Sequence, residues 1–587
     1  VLHQTAASKS LRDQAKAGAF RAYELRRVLV VPSENMARIF HLLHLASVAY
    51  CGDRSADLRR WLRENPRAVS VPSVAEVTWD RRVLYRLFDC WLRLFRKNQW
   101  DDLNSIHEII AGLREDQKRY EAGLLKPNGT TDENSHSSAY RLIALYHWAK
   151  ATEFLAVYML QGDNAAITAN LDQHFEAARH NAESARDIKL EMLLRWLHVA
   201  SRQMVSASIW YVARAVNSRV SRFVEKVTKT RSLFELLPPQ RAAIQEQGLL
   251  DQANRAVVVN LPTSGGKTIL AQFRMLQALN QFDADEGWVT YVAPTRALVA
   301  QITRQLRTDF ESLGVNVEAL STAIEIDSCE ESLLSATQST KSFHILVTTP
   351  EKLSLVIRNK KVSRPLALAV IDEAHNLEDE ERGLRIELLL ATIKQDCPTA
   401  NFLLLMPYVP NAEDLTKWLA PESGKTISFG TSAWLPNERI IGIFNIERDS
   451  SVRGGWKLLY ETLTTTPKTI HLKGRHQAGD IKPLNLSYTD ANSLTNATGA
   501  MAKVLCERGT SVAVASKIPH TWTMARNIAA SLPALGSNNE DITLVQRFLE
   551  TEISPDFELI SLLDKGVAVH HAGLSEETRS LIEWLTE

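Results

Sequence analysis

A twelve-residue stretch at 257–268, VVVNLPTSGGKT, restricts the fold more than any other part of the chain. Three consecutive valines from Val257 form a β-branched run that is typical of a strand buried on both faces. Proline and glycine interrupt the run at 262–266, and apolar residues with helical spacing follow Thr268. A strand, a glycine turn and a helix N-terminus direct several backbone N–H groups at one point, which attracts phosphate. The stretch therefore predicts an α/β domain with a phosphate-binding loop.

The candidate nucleotide contacts in this loop are Thr263, Ser264, Gly265, Gly266, Lys267 and Thr268. Lys267 is expected to reach the β- and γ-phosphates, and the Thr268 hydroxyl is expected to ligate Mg²⁺. The general form of such a loop has a glycine where this chain has Leu261. On these residues alone, a glycine-rich turn after an ordinary core strand remains the alternative.

An acidic motif follows a second apolar run. The strand predicted at 367–371 ends in Asp372-Glu373-Ala374-His375. Two adjacent carboxylates at a strand end are costly unless a cation compensates them. We therefore expect Asp372 to hold Mg²⁺, usually through water, and Glu373 to polarise the attacking water. An acidic pair favoured by a helix dipole is the alternative reading of the same residues.

Polar residues also follow two other predicted strands. Pro294, Thr295 and Arg296 follow a strand at 288–293, and Thr349 and Pro350 follow a strand at 344–347. Ligands bind at the carboxyl edge of open α/β sheets, so these residues are candidate contacts to a nucleic-acid backbone. Ordinary turn chemistry at a strand end explains either motif equally well when it is taken alone.

The four motifs together resemble the superfamily 2 helicases. They occur in the order PTSGGKT, APTRAL, TTPEKL and IDEAH, and the stretch at 379–390 resembles the superkiller-type branch, which includes RNA-exosome helicases and archaeal repair helicases. The loop of that superfamily does not require a glycine at Leu261. The resemblance implies tandem RecA-like domains, hydrolysis of ATP with Mg²⁺ and movement from 3′ to 5′. It also implies a catalytic set of Lys267, Asp372, Glu373 and His375, and an adenine contact from Gln240, whose amide offers both a donor and an acceptor.

The C-terminal part resembles the start of a second RecA-like domain, which the resemblance leaves incomplete. A strand is predicted at 511–515 with Ser516 and Lys517 in the loop after it, and another strand near 566–574 carries His571. These three residues are expected to contact nucleic acid. The family's Q-x-x-G-R-x-G-R element is not found, so we expect the chain to be part of a longer protein. A second departure is Met406-Pro407-Tyr408, which stands where the family carries Ser-Ala-Thr.

The N-terminal part reads as helical almost throughout, with helices predicted at 81–100, 139–161, 165–183 and 186–217. The predicted domains are therefore a helical domain at 1–230, an ATP-binding RecA-like domain at 231–432 and the start of a second RecA-like domain at 433–587. The sequence does not indicate what the helical domain does. Its most apolar stretch, 142–160, contains Lys150 and Glu153, so it predicts a buried helix and no membrane contact.

Composition narrows the partners and the compartment. The formal net charge is zero, so a nucleic-acid partner requires a local basic groove. The five cysteines are dispersed and form no C-x-x-C pair, which favours a reducing compartment, and we expect a cytoplasmic protein.

The predicted function is an ATP-dependent helicase or translocase acting on single-stranded or partly duplex nucleic acid, with DNA favoured over RNA. The helical extension and the Met406-Pro407-Tyr408 variant resemble helicases of bacterial anti-phage defence pairs of the Hachiman type, which implies a nuclease partner. The alternative is an ATP-binding nucleic-acid sensor or scaffold that controls a nuclease with little unwinding.

Overall fold

The structure, a computed structural model, describes residues 9–67, 69–73, 78–124, 133–162, 166–213, 217–262, 265–320, 334, 343–378, 382–407, 411–428, 439–451, 455–466, 484–506, 509–530, 532–535 and 539–586. The chain forms two compact units, Val1–Trp434 and Leu435–Glu587. Among the described residues, no helix has both the length and the apolar character that crossing a membrane requires.

The first unit begins with an all-α region. Its helices are α1 (Lys9–Arg27), α2 (Asn35–Cys51), α3 (Ser55–Glu64), α4 (Trp79–Arg96), α5 (Trp100–Leu124), α6 (Glu133–Gln161), α7 (Ile167–Ser184), α8 (Ile188–Ala207), α9 (Ile209–Ala213) and α10 (Ser218–Arg231). Helices α2 and α4 to α8 bury a shared core that includes Trp91, Trp148 and Phe175, each with 0% exposure. The aromatic and aliphatic residues recur at helical spacing, and burying that stripe is what stabilises such helices. The predicted all-α N-terminal region is confirmed.

An α/β domain follows in the same unit. Its elements are α11 (Pro238–Gln245), β1 (Ala256–Asn260), α12 (Lys267–Gln281), β2 (Trp288–Val292), α13 (Arg296–Phe310), β3 (Val317–Ala319), β4 (Ile345–Thr348), α14 (Pro350–Arg358), β5 (Leu366–Ile371), α15 (Arg382–Asp396), β6 (Asn401–Met406), α16 (Ala412–Leu419) and β7 (Gly424–Ser428). The seven strands are parallel and lie in the order β3-β4-β2-β5-β6-β1-β7. The predicted parallel α/β sheet is confirmed.

Both faces of this sheet are covered, which explains the continuous apolar runs of its strands. Along β1, Val257 and Val259 join a core formed with α12 and α13. Ala256 and Val258 join the opposite core, formed with α14, α15 and α16. Helix α10 belongs to the first of these cores, where Phe223 packs edge-on against Phe273 at 5.6 Å. The last helix of the helical region therefore packs against the sheet. The predicted domain boundary at residue 230 stays a prediction.

The second unit contains an antiparallel sheet in the order β10-β9-β8, from β8 (Arg439–Asp449), β9 (Gly455–Thr466) and β10 (Leu484–Leu486). Its helices are α17 (Tyr488–Ala491), α18 (Leu494–Cys506), α19 (Ile518–Ala529), α20 (Glu540–Glu552), α21 (Glu558–Leu563) and α22 (Glu576–Thr586). The strand predictions at 511–515 and near 566–574 are wrong for this structure, in which both segments lie outside regular strands. The described residues offer these segments no hydrogen-bonded neighbouring strand, and strand propensity alone does not form a ladder. A RecA-like identity for this unit stays a prediction.

Candidate nucleotide site and nucleic-acid contacts

The predicted motifs of the α/β domain meet at one edge of the sheet. Strands β1, β6, β5, β2 and β4 are consecutive parallel neighbours, so their carboxyl ends lie side by side. The loop after β1, the acidic motif after β5 and the polar turns after β2 and β4 all leave the sheet at that edge. Ligands of open α/β sheets bind in this position.

The glycine loop ends in a backbone conformation that requires glycine. Gly266 has φ +69° and ψ +43°, which is the left-handed region, and it immediately precedes α12. Gly265 N donates a hydrogen bond to Pro262 O at 3.0 Å, which closes the turn. The helix N-terminus and the turn leave backbone N–H groups available to an anion. Thr263 and Ser264, two predicted contacts, lie outside the described residues.

Lys267 is the first residue of α12 and is buried, with 9% exposure. Its Nζ has no hydrogen-bond partner among the described residues. The nearest carboxylate oxygen that pairs with it is Glu373 Oε1, at 4.0 Å. A buried ammonium without hydrogen bonds is costly, and a phosphate oxygen would satisfy it. The site therefore fits a phosphate group next to Lys267.

The acidic pair is held in a defined geometry. Tyr291 Oη donates to Asp372 Oδ2 at 2.8 Å, and the backbone N of Glu373 donates to Asp372 Oδ1 at 2.9 Å. Burial raises the pKa of Asp372 above its usual value, opposed by these hydrogen bonds and by Lys267. Glu373 adopts φ +48°, an uncommon conformation for a residue other than glycine.

The side chains at this site could bind a magnesium ion only if a nucleotide supplied further ligands. Thr268, half-buried in the first turn of α12, and Asp372 are the protein groups that could hold it. In the described part of the chain, no three or more His, Cys, Asp or Glu side chains gather around a possible metal position. Mg²⁺ takes six oxygen ligands and usually combines one or two carboxylates with waters and phosphates. Oxygens of the nucleotide would thus complete its coordination.

His375 lies beside the acidic pair. Its Nδ1 is 3.1 Å from Glu373 Oε2, and 39% of its side chain is exposed. The contact joins the last residue of the acidic motif to the carboxylate that is expected to polarise water. The structure therefore brings together Lys267, Asp372, Glu373 and His375, which are the four predicted catalytic residues.

Gln240 lies beneath the glycine loop. Its Oε1 accepts a hydrogen bond from Leu237 N at 2.8 Å, and its Nε2 donates to Gly265 O at 3.3 Å and Gly266 O at 3.2 Å. The side chain is buried, with 4% exposure. In this structure the amide supports the loop, and the contact to adenine stays a prediction.

The candidate nucleic-acid contacts of the α/β domain lie at the same edge. Thr295 caps α13, since its Oγ1 accepts from Leu298 N at 3.3 Å, and Arg296 is exposed in the first turn. Pro294 precedes this cap. Thr349 holds the corresponding position before α14, whose first residue is the buried Pro350. The exposed Arg296 is the charged group of this set.

The remaining candidates belong to the second unit. Lys517 is the N-cap residue of α19 and is exposed, as is Ser516 before it. Trp522 Nε1 donates to His571 Nε2 at 3.0 Å. That bond fixes the imidazole against α19, so His571 has a packing role here whether or not it contacts nucleic acid.

Sequence reasoning missed Tyr291, which orients Asp372. A tyrosine near the carboxyl end of a buried strand was the available signal, because its hydroxyl needs a polar partner when the ring is buried. It also missed Glu235 and Arg241, which flank Gln240. The sequence shows that both residues are charged, but it does not show their partners, which lie far away in the chain. No local signal therefore identified Glu235 or Arg241.

The comparisons with known proteins agree with this geometry. Residues 238–406 match the DEAD/DEAH box helicase family. The chain is 25% identical over 406 residues to the Hachiman protein HamB of Bacillus cereus, which covers 67% of this chain and 35% of that protein. It is 28% identical over 358 residues to the ATP-dependent DNA helicase Hel308 of Methanococcus vannielii, which covers 60% of this chain and 42% of that protein. The chain thus spans less than half the length of these two relatives.

Among solved structures, the DUF1998 helicase MrfA bound to DNA and AMPPNP matches 54% of this chain and 38% of its own, with a TM-score of 0.35 and 18% identity. The range that matches the family contains the glycine loop, Lys267 and the acidic motif. Residues 238–406 are therefore similar to the helicase domain of the DEAD/DEAH box family.

Proposed function

We propose that this chain contains the ATP-hydrolysing motor of a nucleic-acid helicase or translocase. The observation that carries the proposal is the buried Lys267 ammonium, which lacks a hydrogen-bond partner in the described part of the chain and faces Glu373 at 4.0 Å. A cation and an acidic pair that share one cleft are the protein groups needed to bind and cleave a magnesium-bound triphosphate.

Each protein group has a defined task in this proposal. Lys267 binds phosphate oxygens, and the N–H groups around Gly266 add further donors. Asp372 is oriented for its metal by Tyr291, and Glu373 accepts a proton from the attacking water while His375 restrains its carboxylate. ATP with Mg²⁺ would supply the phosphoryl group and neutralise its charge. Hydrolysis then drives movement along a strand held through its phosphates, contacts that do not depend on sequence.

Two of the relatives support a finer assignment. One relative is an ATP-dependent DNA helicase, which favours DNA as the strand. Another is the Hachiman protein HamB, which agrees with the sequence resemblance to anti-phage defence pairs of that type. That resemblance implies a nuclease partner. We infer a DNA-directed motor that moves 3′ to 5′, as the sequence resemblance implies, within such a defence complex.

Two substitutions test the motor. Lys267→Ala should lower ATP hydrolysis by roughly 10²-fold or more, because it removes a preorganised charge at the transferring phosphate. Glu373→Gln should lower it by about 10²- to 10⁴-fold, the usual contribution of a general base. Hydrolysis is measured on the full chain, with and without single-stranded DNA and single-stranded RNA.

Lys229 and Glu225 provide matched controls, because they form an exposed ion pair of 2.8 Å on α10. Lys229→Ala and Glu225→Gln should leave hydrolysis at the wild-type rate. Wild-type turnover in Lys267→Ala and Glu373→Gln would refute the motor. Equal rates with and without a strand would instead indicate an ATPase that does not act on nucleic acid.

The sensor or scaffold remains the second candidate, and one observation favours it. Met406, where the family carries a hydroxyl residue, is fully buried at the end of β6, and its carbonyl accepts a hydrogen bond from Leu261 N at 3.1 Å. Met406 ends the strand that lies between β1 and β5, and its side chain joins the core formed with α14, α15 and α16. An apolar side chain thus occupies the position that the resembled family uses to couple hydrolysis to movement. Strand-stimulated hydrolysis without strand displacement by the full-length protein would select this candidate.

A further inference from the structure

Helix α11 connects the helical region to the nucleotide loop. It is short, begins with two prolines, and carries Gln240, whose amide supports Gly265 and Gly266. The segment before it crosses between two cores: Phe234 is buried in the core of the helical region and Leu236 in the core of the sheet. The position of α11 therefore depends on both parts of the first unit.

The first charged anchor precedes α11. The Glu235 carboxylate has 1% exposure and lies 3.0 Å from Lys97 Nζ of the helical region. Arg59 of α3 donates to it at 2.9 Å, and the hydroxyl of Tyr50 of α2 lies 3.2 Å from both of its oxygens. Burial tends to raise the pKa of Glu235, but the charges of Lys97 and Arg59 outweigh burial and hold the pKa below its usual value. Side chains from three separate parts of the helical region thus bind the Glu235 carboxylate.

A short backbone ladder fixes the same residue. Leu236 N donates to Ala207 O at 2.9 Å, and Ile209 N donates to Phe234 O at 3.0 Å. Ser208 and Glu235 form an antiparallel bridge between these bonds. The segment that leads into α11 is consequently paired with the end of α8.

The second charged anchor lies on α11 itself. Arg241, next to Gln240, donates to Asp53 Oδ1 at 2.7 Å, and Lys16 of α1 donates to Asp53 Oδ2 at 2.9 Å. Asp53 occupies the left-handed region at φ +57°, just after α2. The side chains of Arg241 and Asp53 are mostly buried, with 15% and 20% exposure.

One anchor is fully buried and the other is mostly buried, and removing such charges from water costs stability. Apolar residues of similar size in place of a buried ion pair are often equally stable or more so, whereas the direction of charged hydrogen bonds fixes one geometry. Here both anchors flank the residue that supports the phosphate-binding loop. Their shared effect is to fix the position of Gln240.

We propose that Glu235 and Arg241 are positioning residues through which the helical region sets the affinity of the glycine loop for its nucleotide. This inference rests on the proposed ATP site. Because coupling between two sites is reciprocal, nucleotide bound at the loop also stabilises the contacts of Asp53 in the helical region. A partner that binds the helical region and displaces Asp53 would therefore weaken nucleotide binding.

The test removes the second anchor from each side. Arg241→Gln and Asp53→Asn in the full chain should each raise the Kd for a fluorescent ATP analogue by about fivefold or more, the lower range of energetic coupling between sites. The double variant should bind the analogue no more weakly than Asp53→Asn, because Asp53→Asn already breaks the pair between Arg241 and Asp53. Arg241→Lys, which keeps a charge but loses the planar fork, should recover part of the affinity.

Arg202→Gln is the matched control. Arg202 of α8 pairs with Asp172 of α7 inside the helical region, with 28% and 25% exposure. It should leave the Kd unchanged even where it lowers the melting temperature. A second readout is hydrogen exchange at residues 50–54, which nucleotide should slow in the wild type and not in Asp53→Asn.

The outcomes separate the two proposals. A wild-type chain that does not bind nucleotide refutes the proposed site and this inference with it. A wild type that binds, together with a Kd within twofold of it in both Arg241→Gln and Asp53→Asn, refutes the inference alone. An equal loss of affinity in Arg202→Gln also refutes it, because general destabilisation would then be the cause.

Discussion

Gly266→Ala tests the geometry of the glycine loop most directly. Gly266 has φ +69°, and a Cβ added there would lie 2.1 Å from Gln240 Nε2. An alanine costs about 1 to 2 kcal/mol in the left-handed region. The amide of Gln240 must also move away and lose its bonds to the carbonyls of Gly265 and Gly266, which adds about 2 kcal/mol at the usual net value of a hydrogen bond. We therefore expect Gly266→Ala to lower the free energy of unfolding of this region by roughly 3 to 4 kcal/mol.

Gly314 separates the two contributions. Its φ is +67°, and a Cβ there meets nothing within 4 Å. Gly314→Ala should show the conformational cost alone, about 1 to 2 kcal/mol. In a Gln240→Ala background the clash at Gly266 is absent, so the added cost of Gly266→Ala should fall to the same value.

The assay is native-state hydrogen exchange of the β1 and α12 amides, which reports opening free energies for the region that contains the loop. Titration with a nucleotide analogue should show weaker binding for Gly266→Ala and unchanged binding for Gly314→Ala. Equal losses of stability in the two alanine variants would refute the placement of Gln240 beneath Gly266.

Three further predictions concern burial elsewhere in the first unit. Burial lowers the pKa of His44 to about 4, so the unfolded chain binds more protons than the folded chain between pH 6.5 and 4. The free energy of unfolding therefore falls as the pH falls through that window, and His44→Phe should recover roughly 2 kcal/mol of it at pH 4.5 in urea unfolding. Arg274→Met should lower the free energy of unfolding by about 3 kcal/mol or more, because the fully buried guanidinium donates to three backbone carbonyls of the loop before β1. Arg274→Lys should recover only part of that loss in urea unfolding. Thr152→Val should lower the free energy of unfolding by about 1 to 2 kcal/mol, because it leaves the buried indole N–H of Trp91 without its acceptor at 2.9 Å. An unchanged free energy of unfolding would contradict that hydrogen bond.

The sequence by itself determined the local chemistry of the nucleotide site. The valines of β1, the glycine at φ +69° and the lysine that begins α12 follow from backbone preferences and hydrophobic patterning within a dozen residues. The strand that ends at Asp372 was predictable for the same reason, because a continuous apolar run of six residues requires cover on both faces. These features depend on near neighbours in the chain, which a sequence displays directly.

The tertiary structure decided which distant groups meet. Strand order places β6 between β1 and β5 and brings Lys267 to 4.0 Å from Glu373, and neither β1 nor β5 encodes that order alone. Tertiary packing likewise placed Gln240 under the loop and joined Arg241 to Asp53. At 511–515, tertiary structure overruled the local pattern: the segment contains β-branched residues but forms no strand. Such residues form a strand only where a neighbouring strand supplies hydrogen bonds. Pairing and burial depend on residues far away in sequence, so no local pattern contains them.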